Sequence, residues 1–239
     1  MEKSKIVIPI RNIDQNLRIL QDNLLSDGSI NFDDDSLEAL LKKLPADEPI
    51  TRLLHTEVRY EVTDHCNASC IMCPRDEHEY GREHGIMNQD KYEKSIDEVV
   101  ALGAKQVVLQ GFGEPMLDKN LESKIIYAKK QGLSTYTISN GSALTSNRSK
   151  KLLEAGLDEI RISFYGMSKN TYNTVMQGLD FEKTKDALLK FIKLRNDNNF
   201  KTKIQISYLT LPENEKDEDN FREFWEPLVD AIEVWRPHN

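Results

Sequence analysis

The chain has 239 residues, with 32 Lys and Arg against 40 Asp and Glu, for a formal charge of −8. At ~100–200 residues per domain, that is one full domain with an appendage. No apolar run reaches the ~18–20 residues of a membrane span, and the start MEKSKIVIPIRNIDQNLRIL lacks a signal-peptide core, so a cytoplasmic protein with no membrane partner is expected. A net acidic chain also argues against nucleic acid as a partner, since phosphate binding needs a basic face.

The elements follow in chain order. Residues 1–52 read as a helical N-terminal extension. Ile13 to Leu25 places Leu17, Leu20, Leu24 and Leu25 near one helical face, and Asp34-Asp35-Ser36 offers N-cap chemistry to SLEALLKKL, which stops at Pro45. From residue 53 the texture changes. TEVRYEV alternates as a strand, and Asn88 caps a helix through YEKSIDEVVALG that Gly103 ends. QVVLQ is a buried-type strand followed by the turn GFGEP, and LESKIIYAKKQG is a helix. STYTIS is a strand ending at Asn140-Gly141, Thr145 starts the helix SNRSKKLLEAG, and DEIRISF is the next strand. FEKTKDALLKFIKLR is an amphipathic helix, KIQISYL a strand, DNFREFWEPLV mostly helix, and AIEVW a last strand. The acidic stretch Glu213 to Asp219 reads as a solvated loop and helix start.

About six βα units in succession predict a parallel α/β sheet. A closed eightfold barrel typically needs ~250 residues, so residues 53–239 fit a partial (β/α)6 barrel better.

All three cysteines, Cys66, Cys70 and Cys73, fall in one polar loop after the first strand, in the pattern C-x3-C-x2-C. An odd count excludes a complete disulfide framework, and clustering points to ligand chemistry in a reducing compartment. Three thiolates leave one metal position open. Zinc with His65 as a fourth ligand is strained, because adjacent side chains on an extended segment diverge. An iron–sulfur cluster with one uncoordinated iron accounts for the count better.

At this point the sequence resembles the radical S-adenosylmethionine (SAM) enzymes, whose signature is this cysteine pattern. Three further stretches resemble that family in order. Gly111-Phe112-Gly113-Glu114-Pro115 is similar to its Gly-Gly-Glu motif, with Phe112 in place of the first paired glycine; Ser139-Asn140-Gly141 is similar to its Thr-Asn-Gly turn; and Ser163-Phe164-Tyr165-Gly166 is similar to its Ser-x-x-Gly segment. The resemblance implies a TIM-barrel-like core and a 4Fe-4S cluster on Cys66, Cys70 and Cys73. It also implies S-adenosylmethionine on the open iron, with its amino group at Gly113 and Glu114, its ribose at Ser139 and Asn140, and its methionyl end at Ser163. Met72 stands where the family often has an aromatic residue against adenine. The implied reaction is reductive cleavage to methionine and a 5′-deoxyadenosyl radical, which takes hydrogen from a peptide, sugar or other small biosynthetic substrate. A reductant such as flavodoxin or ferredoxin is implied as partner.

Cys73-Pro74-Arg75 and the loop to Gly85-Ile86-Met87 resemble the SPASM/twitch-containing group. AIEVWRPHN resembles the point where those relatives continue into a cysteine-rich C-terminal domain, so a chain truncated there is expected. With all three thiols on one cluster, no spare thiol remains for an auxiliary cluster or for returning a hydrogen atom. The competing reading is a non-catalytic iron–sulfur or metal-binding module that scaffolds a partner.

Overall fold

A computed structural model describes residues 56–76 and 84–236. The expected helical extension at 1–52 lies outside them. Contacts divide the chain at Thr56, and the unit Glu57–Asn239 carries the architecture below.

Six strands, β1 (Glu57–Tyr60), β2 (Gln106–Leu109), β3 (Ser134–Ser139), β4 (Glu159–Ser163), β5 (Lys203–Leu209) and β6 (Ala231–Trp235), pair in parallel in strict sequence order. The order leaves β1 and β6 as the two edges, so this sheet is the expected partial barrel rather than a closed one.

Helices α1 (Gln89–Ala101), α2 (Leu121–Lys130), α3 (Ser146–Glu154), α4 (Lys169–Val175), α5 (Phe181–Asp197) and α6 (Glu218–Trp225) connect the strands. Their starts are chemically specified. Asn88 Oδ1 accepts from the Asp90 and Lys91 N–H groups, Thr145 Oγ1 from Arg148, and the Asp180 side chain from Lys183. Gly103 and Gly132, just past α1 and α2, adopt φ of 95° and 81°, a left-handed conformation that a side chain would disfavour. The short α4, capped by Ser168, is an element that the sequence pattern does not reveal.

Strand alternation separates two faces. Val107, Leu109, Ile160, Ile162, Ile204 and Ile206 are fully buried, as are Ile96, Ile125, Leu152, Leu188 and Phe191 from the helices. The opposite face carries Gln106, Tyr136, Ile138, Arg161, Ser163, Gln205 and Glu233, all half-buried, in matching register. A parallel sheet with both faces covered reads as a continuous apolar run; these strands instead keep one polar face. That polar interior surrounds the site.

Candidate functional site

A cavity of about 500 Å3 opens at the C-terminal ends of the strands, where parallel α/β folds place their ligands. Its wall includes Cys66, Cys70, Cys73, Met72, Gly113, Glu114, Ser139, Asn140 and Ser163. The tertiary structure therefore brings to one cavity every residue singled out above for cluster or cofactor, from positions spread over about a hundred residues of chain.

The cysteine loop leaves β1 after Tyr60 and is held from several sides. Ser69 N–H donates to the Gln177 carbonyl at 2.9 Å and Ile71 N–H to that of Val175 at 3.1 Å, which seats the loop on the end of α4. Gly178, at φ 87°, passes so near that an added Cβ would meet the Asn67 carbonyl oxygen at 3.1 Å. Arg75 Nη2 donates to the Ala68 carbonyl at 3.0 Å, within the loop itself. All three cysteines are half-buried and outside any disulfide. Burial pushes the Cys70 thiol up to about 12, and the neighbouring Cys66 and Cys73 push it the same way; burial also raises Cys66.

Among the described residues no three His, Cys, Asp or Glu side chains converge on the position of a single ion. A four-iron cluster requires something else, one thiolate at each of three corners and a fourth iron left open. Three thiols of one loop, outside any disulfide and lining one cavity, form a donor set that fits this group.

The GFGEP turn follows β2. Besides lining the cavity, Gly113 makes a close approach that only the tertiary structure shows. A Cβ there would lie 2.2 Å from the Thr63 carbonyl oxygen and 2.7 Å from that of His65. Glycine thus lets the turn press on the backbone of the cysteine loop, and Glu114 N–H donates to the His65 carbonyl at 2.8 Å.

The Glu114 side chain is 2% exposed. Its Oε1 accepts from the Met116 N–H at 3.0 Å and the Ser139 hydroxyl at 2.7 Å, and its Oε2 accepts from the Asn140 N–H at 2.7 Å. Burial raises its carboxyl above the usual range, and these donors offset only part of the rise. Below the turn, Asp118 and Lys124 form a fully buried ion pair at 2.6 Å, and Arg148 Nη2 donates to the Asp118 carbonyl at 2.6 Å.

Ser139 also accepts from the Gly141 N–H at 2.9 Å. Asn140 Nδ2 donates to Asn67 Oδ1 at 3.0 Å, while its Oδ1 accepts from the N–H and hydroxyl of Ser142. The side chains of Ser139 and Asn140 thus fasten the end of β3 to Glu114 and to the cysteine loop. Ser163, at the end of β4, carries no such bond among the described residues and lines the cavity. Met72 sits in the turn between the second and third cysteines.

Several wall residues were not singled out as ligands by sequence. Met176 lines the cavity and its Sδ accepts from the Tyr165 N–H at 3.4 Å. Arg161 and Trp235 line it too, and strand alternation was the available signal, since Arg161 stands between the buried Ile160 and Ile162. Behind the wall, Asn67 and Ser142 brace Asn140 and gave no signal, because their bond spans 75 positions.

Comparison with known proteins bears on the family and the fold. The GTP 3',8-cyclase of Limosilactobacillus fermentum is 28% identical over 200 residues, covering 77% of this chain and 58% of that protein. The probable GTP 3',8-cyclase of Methanococcus maripaludis is 28% identical over 139 residues, 57% of this chain and 45% of that one. The chain spans about half the length of the curated relatives it matches. Among solved structures, Streptococcus suis SuiB bound to S-adenosylmethionine matches with a TM-score of 0.64 at 17% identity, over 94% of this chain and 51% of that one. The anSMEcpe structure with bound AdoMet matches with a TM-score of 0.61 at 19% identity, over 77% and 50%. Both share the fold. The model of the Radical SAM superfamily, a family of enzymes that use a 4Fe-4S cluster and S-adenosylmethionine, matches residues 60–224, and the chain belongs to that superfamily.

Proposed function

We propose that this protein is a radical SAM enzyme acting on a small biosynthetic substrate. Cys66, Cys70 and Cys73 hold a 4Fe-4S cluster, and S-adenosylmethionine binds beside it in the cavity at the strand ends. When bound, the two together supply one-electron reductive cleavage to methionine and a 5′-deoxyadenosyl radical that abstracts hydrogen. The protein binds, orients and excludes water. The Gly113-Glu114 turn meets the cofactor's amino group, Ser163 its methionyl end, Ser139 and Asn140 its ribose, and Met72 its adenine.

Glu114 serves this task indirectly as well. By accepting from Ser139 and Asn140 while its own N–H reaches His65, it locks three strand ends into one frame. The observation that carries the reading is this juxtaposition: three thiols and the Glu114 frame facing a single cavity. The relatives named GTP 3',8-cyclase favour a small molecule over a peptide as substrate. Residues 1–52 are read as an appendage to the core at 53–239, and a flavodoxin- or ferredoxin-type protein as the reductant. Among the described residues no helix is long and apolar enough to cross a membrane.

Anaerobic reconstitution with iron and sulfide, followed by reduction in the presence of S-adenosylmethionine, tests the proposal. Release of methionine and 5′-deoxyadenosine is expected. A cluster-loaded protein that releases neither would overturn the enzyme reading in favour of a non-catalytic module.

A further inference from the structure

The polar inner face of β4 and β6 carries an arrangement that neither the cluster nor the S-adenosylmethionine contacts use. Arg161 Nη1 donates to Glu233 Oε2 at 2.8 Å, joining positions 72 apart. That is a one-point contact, although a guanidinium and a carboxylate can pair through two parallel bonds. Arg161 Nη2 and Glu233 Oε1 bond to no group among the described residues, and neither atom is buried. The side chains keep 23% and 35% of their exposure, and Arg161 lines the cavity. The Tyr136 and Trp235 rings flank the guanidinium, with centroids 5.9 and 6.0 Å from its central carbon. Trp235 also lines the cavity and is 53% exposed.

One ion pair thus keeps a donor and an acceptor without partners among the described residues, and its guanidinium lies against the half-exposed indole of Trp235. The charges are already balanced, so an incoming carboxylate or phosphate would meet Glu233 as a like charge. A neutral group with a carbonyl oxygen beside an N–H satisfies both partners. A trans peptide cannot do so, because its C=O and N–H point to opposite sides; a ring amide, fixed cis, presents them together. The neighbouring indole offers a surface for the flat ring.

We propose that Arg161 and Glu233 are a recognition pair for a planar cyclic amide in the substrate. Its carbonyl accepts from Arg161 Nη2, its ring N–H donates to Glu233 Oε1, and its face lies on Trp235. This deepens the proposed function, resting on the same cavity being the substrate site.

The test titrates cluster-reconstituted protein, with and without S-adenosylmethionine, and reads tryptophan fluorescence. A Trp235→Phe variant reports the signal of Trp225 alone. Uridine is the probe, 3-methyluridine the same ring without its donor, and benzoate a flat anion. Saturable quenching by uridine is expected, with binding of 3-methyluridine weaker by roughly tenfold or more. Arg161→Lys should weaken uridine similarly. Glu233→Gln, nearly isosteric, should weaken uridine and strengthen benzoate, and circular dichroism checks that both variants fold. Equal binding of the two nucleosides, tighter binding of benzoate than uridine to the wild type, or no quenching by any probe would overturn the recognition pair. Methionine and 5′-deoxyadenosine release from the same preparation is a separate readout. Its absence counts against the enzyme reading, whereas its presence without uridine binding counts against this pair alone.

Discussion

Replacing Gly113 with alanine tests the contact that assembles the site. The new Cβ would sit 2.2 Å from the Thr63 carbonyl oxygen and 2.7 Å from both the Thr63 carbonyl carbon and the His65 carbonyl oxygen. These are backbone atoms, so no side-chain rotation relieves the clash, and the turn must move away by about an ångström. Movement on that scale breaks the 2.8 Å bond from Glu114 N–H to His65. Overpacking of this kind costs about 1–3 kcal/mol, and the lost hydrogen bond about 0.5–1.5 kcal/mol more. For a domain of this size each kcal/mol lowers Tm by roughly 2–4 °C, so Gly113→Ala should melt about 3–18 °C below the wild type. Thermal unfolding by circular dichroism measures this, and iron content after reconstitution reports the effect on the cysteine loop. Gly85→Ala is the control. Among the described residues nothing lies within 4 Å of a Cβ there, and the change should stay within about 0.5 kcal/mol. Gly111→Ala should also destabilise, since its Cβ would lie 2.2 Å from Glu61 Cγ and 2.6 Å from Glu61 Cβ, and a Cβ does not move when the side chain rotates. If Gly113→Ala melts with the wild type and keeps its iron, the turn does not press on the cysteine loop and the argument fails.

Cys70→Ala should lose both iron retention and S-adenosylmethionine cleavage; full iron content after reconstitution would remove Cys70 from the ligand set. Glu114→Gln keeps one acceptor oxygen where three protein donors converge, so an N–H of the new amide faces another donor, and destabilisation of about 1–3 kcal/mol is expected in urea unfolding. A midpoint unchanged by this substitution would show that the frame around Glu114 is not closed. Asp158 shows a sign that pH can test. Burial alone would raise its pKa, but bonds from Lys129 and from the Thr135 N–H and hydroxyl outweigh it and leave the value lowered. Stability from this group is therefore full above its ordinary value of about 3.9 and is lost as pH falls through the lower folded value. Asp158→Asn should flatten the acid limb of Tm against pH, and an unchanged limb would assign acid sensitivity elsewhere.

Much of the framework was legible because its causes are local. The caps at Asn88 and Thr145, the glycines at 103 and 132 and the apolar alternation of β4 and β5 each act over a few residues. The misses also have local causes. The segment Lys169–Val175 is rich in Asn and Thr, weak helix formers, and its helix exists because Tyr172 and Val175 are buried against the core. TEVRYEV yields a strand only to Tyr60, since Glu61 turns to accept from the Phe112 N–H and Thr63 bridges to Ile86.

The sequence by itself determined the chemistry available: three thiols at ligand spacing, committed to one loop, and repeated βα units that put that loop at the C-terminal end of a parallel sheet. Only the tertiary structure decided how the remaining polar groups are used. It turned Glu114, Ser139 and Asn140 largely toward one another, pressed Gly113 against the backbone of the cysteine loop, and paired Arg161 with Glu233 beside Trp235. The physical reason is range. Ligand spacing and strand alternation are written in neighbouring residues, whereas these pairings depend on strand register and on loops meeting across 25 to 73 positions of chain, where no periodicity links the partners.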